Sequence, residues 1–319
     1  MKPIVLFADR VHPDFIPAME RRGFQCVEVY EGNPVDWALG EDVRGAVQGV
    51  VIRSRFRLDV SLLSYIPSLK WIARVGSGLE NIDVPGFKQR NVRVFNAPYG
   101  LSNSVGEHTL AMLLAGLNHL VSGDREVREG LWNRELHRGE ELDGKTVGIW
   151  GYGATGSAFA RKLRGFDVRI LAYDPYKSDF SDKWVQQVPD SKLFEEAEVV
   201  SFHVPLTDET HGMVDDSFFA KFHHPIFFLN TSRGPVVKST ALLRALEAKR
   251  VRFAGLDVLE EEGTHFESLS NSSENWTSLS THPRILFSPH VAGWTVQSKW
   301  RMVEHLLDQI DALYHLPKS

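Results

Sequence analysis

Three short stretches of this chain each carry a side chain able to bind or move charge. They are Asn230-Thr231-Ser232-Arg233-Gly234, Leu256-Asp257-Val258-Leu259-Glu260-Glu261-Glu262 and Ser288-Pro289-His290-Val291-Ala292-Gly293. Arg233 and Glu262 stand 29 positions apart, and Glu262 and His290 stand 28 apart. Arginine grips a carboxylate through a two-pronged fork. Histidine, with an ordinary pKa of about 6.5, exchanges protons near neutrality. A glutamate beside it fixes its orientation and favours its protonated form. Together the three could hold a 2-hydroxy acid and take its hydroxyl proton. Glu262 belongs to the acidic run 260–262, so Glu261 remains the alternate partner for the histidine.

That set lacks a hydride acceptor, and a site for one stands upstream at Gly151-Tyr152-Gly153-Ala154-Thr155-Gly156. The G-x-G-x-x-G spacing is a weak signal alone, and its surroundings strengthen it. Residues 146–150 read as a buried strand entering the loop, 157–164 as a helix, and 168–173 as a second strand. That strand ends at Asp174, 23 positions after Gly151. Strand, glycine turn, helix, strand and acid is the order of a dinucleotide-binding unit. Its glycines let the backbone approach a pyrophosphate at a helix N-terminus, and its acid takes the ribose hydroxyls. No arginine stands directly after Asp174-Pro175-Tyr176, which favours NAD over NADP.

With these motifs the chain resembles the D-isomer-specific 2-hydroxyacid dehydrogenases over nearly its whole length. Further family-like stretches are Ala73-Arg74-Val75-Gly76-Ser77-Gly78, Phe95-Asn96-Ala97-Pro98, Ser104-Val105-Gly106-Glu107-His108-Thr109 and His203-Val204-Pro205-Leu206-Thr207. The resemblance implies that Arg233, Glu262 and His290 are the catalytic arginine, glutamate and histidine. It implies a cofactor site lined by Ser77, Gly151, Gly153, Ala154, Thr155, Gly156, Asp174, Val204, Thr231, Ser232, Arg233, Asp257 and His290 to Gly293. It places His203 near the cofactor, outside proton transfer. The family usually has a proline after the glutamate, whereas Gly263 follows here, and the stretch from Glu262 to His290 is longer than usual.

The bulk properties agree with a soluble enzyme. A chain of 319 residues, 43% hydrophobic, can form two cores. A net charge of −5 gives no general attraction to nucleic acid or anionic membrane. No apolar run approaches the roughly 18 residues a membrane span needs, and Asp9-Arg10 end the first apolar stretch too early for a signal peptide. Cys26 is the only cysteine, which excludes an internal disulfide and a cysteine metal cluster. His223 and His224 begin no metal pattern and read as surface turn residues. No metal is expected, and a cytoplasmic location follows by default.

The reactive residues need elements to hold them. Residues 4–7, 27–30, 50–52 and 71–73 read as strands, as do 199–202, 226–229, 253–256 and 285–287. Helical or turn segments alternate with them, which suits parallel sheets covered by helices. Ser104-Val105-Gly106-Glu107 has the form of a capping box opening a helix to about Leu120. Asp143-Gly144-Lys145 reads as a turn, 267–280 as a polar surface loop, and 296–313 as a last amphipathic helix. The expected class is therefore α/β, with two doubly wound parallel-sheet domains, one of them a Rossmann dinucleotide-binding domain over 101–293. By resemblance the last helix returns to the first domain, making that one discontinuous: 1–100 with 294–319. The segment from Ser104 through Trp132 resembles the one by which family members form homodimers.

Substrate choice is read from Val51-Ile52-Arg53-Ser54-Arg55. Two arginines end a strand, alternation sends both to one side, Arg57 follows, and Arg74 ends the next strand. Such a cluster favours a phosphate over a small neutral group. The segment resembles the phosphate-binding strand of D-3-phosphoglycerate dehydrogenases. Arg53, Arg55, Val75, Gly76 and Ser77 are the expected substrate-binding residues, and 3-phosphoglycerate is the expected substrate. Because the sequence ends at Ser319, no C-terminal regulatory domain is expected. The rivals are a reductase of glyoxylate, hydroxypyruvate or another 2-keto acid and, from a different class, an NAD(H)-sensing co-repressor-like protein.

Overall fold

The structure, a computed structural model, describes residues 2–34, 37–262 and 274–316. The chain divides into two compact units, Met1–Leu101 with Trp294–Ser319, and Ser102–Gly293.

The first unit is built on five strands: β1 (Ile4–Phe7), β2 (Gln25–Glu28), β3 (Val47–Ile52), β4 (Trp71–Arg74) and β5 (Arg93–Asn96). All pair in parallel in the order β2-β1-β3-β4-β5. β1, β3 and β4 are apolar and buried almost throughout because helices cover both faces. One face packs Ile4, Leu6, Val50, Ile52 and Ile72, and the other packs Val5, Phe7, Val51, Trp71 and Ala73. The helix Val296–Tyr314 lays Met302, Val303, Leu306, Leu307 and Ile310 on the second face. It is tied there by Arg22, whose Nε lies 2.6 Å from Asp311 Oδ1. Its start is a true capping box, in which Thr295 and Ser298 exchange side-chain and backbone bonds.

The second unit holds seven parallel strands: β6 (Thr146–Trp150), β7 (Arg169–Tyr173), β8 (Val185–Gln187), β9 (Val199–Phe202), β10 (Ile226–Asn230), β11 (Val251–Leu256) and β12 (Ile285–Phe287). Their order is β12-β11-β10-β9-β6-β7-β8. The chain runs outward from β6 through β7 to β8, then crosses to β9 on the other side of β6. A sheet of this type binds ligands beyond the carboxyl ends of its strands where the order reverses, here β6 and β9. In the first sheet the reversal falls at β1 and β3.

Four sequence expectations are corrected in detail. β2 begins at Gln25 rather than 27 and ends at Glu28. The helix expected from Ser104 begins at Pro98, whose fixed φ suits a first helical position, so Ser104 sits buried inside it rather than capping it. That helix ends at Leu117; His119 turns left-handed, with φ 52°, and a second helix runs Leu120–Arg128. Part of the expected polar loop 267–280 is helical, Glu274–Ser280, while 267–273 lie outside the described residues. Among the described residues no helix is long and apolar enough to cross a membrane.

Candidate active site

The reactive residues of the second unit stand on the loops that leave its strands. β10 ends at Asn230, which is 1% exposed, and this side chain shapes the turn that follows. Its Oδ1 accepts from the Ser232 amide at 3.0 Å and the Ser232 hydroxyl at 2.7 Å, and its Nδ2 donates to Arg233 O at 3.0 Å. Arg233 is thereby presented in extended backbone, and its Nη1 donates to Ser232 O at 2.7 Å. Thr231 is anchored from the other side, with its hydroxyl 2.9 Å from that of Thr109.

Gly234 lets the next segment close on this turn. A Cβ there would meet Leu259 O at 1.8 Å, so a residue with a side chain would push the acidic run away. That run divides its labour. Glu260 Oε2 accepts from the Ser239 amide at 2.7 Å, at the first turn of the helix Ser239–Glu247. Glu262 Oε1 lies 2.5 Å from His290 Nδ1, with the two side chains 10% and 24% exposed. Of the two glutamates considered from sequence, Glu262 is thus the one bonded to the histidine. Glu261 keeps a buried Oε2 without a hydrogen-bond partner among the described residues. Gly263, where the family pattern changes, lies outside the described residues.

His290 has φ 54°, an uncommon conformation for a residue with a side chain. Asp257, 2% exposed after β11, holds it there. The His290 amide donates to Asp257 O at 2.8 Å. The Asp257 carboxylate accepts from the Val291 and Ala292 amides, both at 2.9 Å, and from the Ser288 hydroxyl at 2.5 Å. His108 Nε2 lies 2.8 Å from the same hydroxyl oxygen. Since the serine proton goes to Asp257, His108 is the donor in that contact. Asn230, His108, Thr109 and Ser288 lie inside the family-like stretches of the sequence, and their positioning contacts emerge only in the folded chain. A polar residue directly after a buried strand was the signal for Asn230.

The glycine turn has the geometry a pyrophosphate requires. Gly151 has φ +86°, and a Cβ on Gly156 would meet Gly151 O at 2.0 Å. The helix Ala154–Lys162 starts inside the motif, so its first amides face the loop. Asp174, at the end of β7, accepts from the Tyr152 amide at 2.9 Å and the Tyr176 amide at 3.0 Å. A cavity of about 500 Å³ opens beside it, lined by Tyr173, Asp174, Asp179, Ser181, Gln187, Val188 and Pro189. That volume is within the range of small-molecule sites. These residues fit a dinucleotide. His203, just past β9, is buried. Its Nε2 lies 2.9 Å from Ser201 Oγ, and burial pushes its pKa down to about 3, so it stays neutral. Val204, next in line, is half-buried. His223 and His224 lie exposed in a bend.

The remaining sequence candidates belong to the first unit. Val75 continues from β4, its amide bonding Ile52 O at 2.8 Å. Gly76 makes room for the Arg74 guanidinium, which would meet a Cβ at 2.0 Å. Ser77 O accepts from Asn96 Nδ2 at 2.5 Å. The two arginines after β3 part company. Arg55 turns back on the unit, its Nε 3.2 Å from Asp9 Oδ1 and its other nitrogens on the carbonyls of Ala8 and Tyr30. Arg53 lies with its guanidinium 4.6 Å over the Trp294 ring.

A parallel sheet reversing at β6, a glycine turn opening a helix there, and an acid at the end of β7 are the features of a dinucleotide-binding domain. Comparison narrows the class. The description "D-isomer specific 2-hydroxyacid dehydrogenase, NAD binding domain" matches residues 110–292, and the chain belongs to this family. It is 36% identical over 307 residues to a D-3-phosphoglycerate dehydrogenase of Mycobacterium tuberculosis, covering 94% of this chain and 54% of that protein. The chain thus spans about half the length of the curated phosphoglycerate dehydrogenases it matches. It is 32% identical over 264 residues to the hydroxypyruvate reductase of Thermotoga maritima, covering 83% and 84% of the two. Among solved structures, D-lactate dehydrogenase of Aquifex aeolicus complexed with NAD and lactic acid superposes with TM-score 0.79 at 25% identity, over 98% of this chain and 95% of that one.

Proposed function

We propose that this chain is an NAD-dependent D-2-hydroxyacid dehydrogenase that interconverts 3-phosphoglycerate and phosphohydroxypyruvate. The observation that carries the reaction class is the 2.5 Å contact between His290 Nδ1 and Glu262 Oε1. The chemistry a bound nicotinamide supplies is exchange of a hydride with C2 of the substrate. The chain's residues do the rest. Arg233 takes the C1 carboxylate through its guanidinium fork. His290 donates Nδ1–H to Glu262, which fixes the tautomer and leaves proton exchange to Nε2. In oxidation Nε2 takes the C2 hydroxyl proton as C2 loses hydride; in reduction the imidazolium returns it. Glu262 stabilises that imidazolium, and Asp257 holds the loop that presents it. Gly151 to Gly156 cradle the pyrophosphate, and Asp174 takes the ribose and disfavours a 2′-phosphate.

The phosphate end of the substrate is assigned to Arg53. Arg55 was expected to share it, yet its nitrogens serve Asp9 and two carbonyls, so its role is to brace the loop carrying Arg53. That commitment favours a second reading, reduction of an unphosphorylated 2-keto acid such as hydroxypyruvate or glyoxylate. A panel of phosphohydroxypyruvate, hydroxypyruvate, glyoxylate and pyruvate, each followed by NADH consumption, decides. A kcat/KM at least tenfold higher for phosphohydroxypyruvate supports the first reading, and a preference for any unphosphorylated acid replaces it with the second.

The chain is also proposed to pair with a second copy of itself. Leu120, Val121, Val127, Leu131, Trp132 and Leu136 are all exposed on the helix Leu120–Arg128 and the stretch after it. So many large apolar side chains in one segment suit an interface. Sedimentation should give a dimer, and Trp132→Glu with Leu136→Glu should give a monomer.

A further inference from the structure

We propose that His108 and Thr109, neighbours on the helix Pro98–Leu117, are positioning residues that clamp the two reactive loops of the second unit, His108 the loop of His290 and Thr109 the loop of Arg233. The roles given to Arg233 and His290 rest on the dehydrogenase reading above.

Successive residues on a helix point about 100° apart, so a single turn can serve two partners. His108 and Thr109 are both polar, and the apolar run Leu110-Ala111-Met112-Leu113-Leu114 follows them directly. A polar group at such a place is costly to bury unless it is bonded. Thr109 is 0% exposed and spends its proton on Val105 O at 2.7 Å. Its oxygen is therefore the acceptor in the 2.9 Å contact with the Thr231 hydroxyl. Thr231 opens the turn that presents Arg233, between Asn230 and Ser232, which bond each other. A valine at 109 would deprive the buried Thr231 hydroxyl of this acceptor.

His108 acts at one remove. Its Nε2 donates to Ser288 Oγ at 2.8 Å, and Ser288 passes its own proton to Asp257 Oδ1 at 2.5 Å. The same carboxylate takes the Val291 and Ala292 amides beside His290. Donation into a hydroxyl oxygen strengthens the bond that the hydroxyl itself donates. His108 Nε2 lies 3.7 Å from Asp257 Oδ1, too far for a direct bond, so its influence on the carboxylate passes through Ser288. The two halves of the clamp have different kinetic signatures. Arg233 holds the substrate carboxylate before and during reaction, so loosening its loop raises KM. His290 moves a proton only in the reacting step, so loosening its loop lowers kcat.

The test uses the full chain, saturating NADH and whichever 2-keto acid of the panel it reduces best. His108→Ala should lower kcat about two- to tenfold, the effect of one neutral hydrogen bond, and leave KM in place. His108→Gln should restore kcat, because its amide nitrogen reaches as far as the imidazole Nε2. His108→Asn, one carbon shorter, should not. Ser288→Ala should also lower kcat, and adding His108→Ala to it should change nothing further, as for two groups acting in series. Thr109→Val should instead raise KM about two- to tenfold at unchanged kcat, and Thr109→Ser, which keeps the oxygen, should match the parent. Without any turnover, amide hydrogen exchange at Val291 and Ala292 should quicken in His108→Ala and stay slow in His108→Gln. Additive losses in the double variant, or parent-like exchange in His108→Ala, overturn the clamp at His290. A lowered kcat in place of a raised KM in Thr109→Val overturns it at Arg233. If the chain reduces no 2-keto acid, the dehydrogenase reading fails while the exchange still decides the clamp. If it does, and every variant matches the parent, the reading stands and the clamp falls.

Discussion

The carboxylate of Asp257 accepts the Ala292 amide at 2.9 Å and so fastens the loop that carries His290. With the Val291 amide and the Ser288 hydroxyl on its other oxygen, it compensates for the left-handed backbone at His290. A residue in that region costs on the order of 1–3 kcal/mol and persists only where its surroundings over-determine it. The catalytic candidate is positioned by the buried acid, which itself lies behind the loop.

Asp257→Asn should therefore impair turnover without removing any reactive group. An amide offers one acceptor oxygen in place of two, so at least one loop contact is lost. Losing a hydrogen bond to a charged group costs about 1.5–3 kcal/mol, or one to two powers of ten. The expected result is a kcat lowered about ten- to hundredfold in steady-state assays. A variant with wild-type kcat would show that the loop holds itself.

His290→Ala should remove the general acid–base contribution, about 10²–10⁴-fold in kcat, and leave NADH binding intact by fluorescence titration. Glu262→Gln should be milder and diagnostic. The 2.5 Å contact with Glu262 fixes the orientation of the His290 ring, and its weakening should lower kcat about tenfold in steady-state assays while NADH binding stays intact. Glu261→Gln should leave kcat in place, since Glu261 does not bond His290. A kcat lowered by Glu261→Gln alone would reverse the two roles.

Much of this arrangement was legible from sequence because buried parallel strands are apolar runs. Residues 4–7, 146–150, 199–202 and 285–287 coincide with β1, β6, β9 and β12. The elements that escaped have no such signature. β8 is Val-Gln-Gln with one buried residue, and β5 begins and ends on Arg93 and Asn96. The site shows the same division. Arg233, His290 and the glycine turn stand beside distinctive neighbours, whereas the choice within the acidic run depends on how the backbone turns after Gly234. The fate of Arg55 depends on Asp9 and Tyr30, remote in sequence and adjacent only through the β1–β2 and β1–β3 pairings.

The contacts of Arg55 set a further mutational expectation. Arg55→Ala should destabilise the first unit, because it strands the partly buried carboxylate of Asp9 and two carbonyls. It should alter phosphohydroxypyruvate and hydroxypyruvate turnover by the same factor. Arg53→Ala should instead change their ratio. Measuring both substrates for both variants separates bracing from binding. A ratio changed more by Arg55→Ala than by Arg53→Ala would return Arg55 to the phosphate.

Cofactor preference should follow Asp174. Its carboxylate organises the glycine turn through the Tyr152 amide and confronts any 2′-phosphate with like charge. The parent should use NADH with far higher kcat/KM than NADPH. Asp174→Ala should narrow the gap, partly by weakening NADH as the turn loosens. Equal efficiency with the two cofactors in the parent would remove Asp174 as the discriminator.

The buried histidine at the end of β9 makes a prediction about stability. Burial lowers the pKa of His203 from its ordinary 6.5 to about 3. Between those values the unfolded chain binds a proton that the folded chain does not. Stability must therefore rise with pH across this window and fall on acidification. The contribution is fully present above pH 6.5 and declines by about 1.4 kcal/mol for each unit below it. At pH 4.5 it amounts to a loss of about 3 kcal/mol. His203→Gln keeps a polar group beside Ser201 but has no proton to gain. At pH 7 the variant should be the less stable, since the ring also packs 5.6 Å from Phe159. On acidification the parent should lose stability faster, and the two unfolding curves should converge between pH 7 and 4.5. Denaturant unfolding of both proteins at several pH values gives the difference directly, with the titration of all other groups cancelling. Parallel curves would mean that His203 takes up its proton as readily in the folded chain as in the unfolded one.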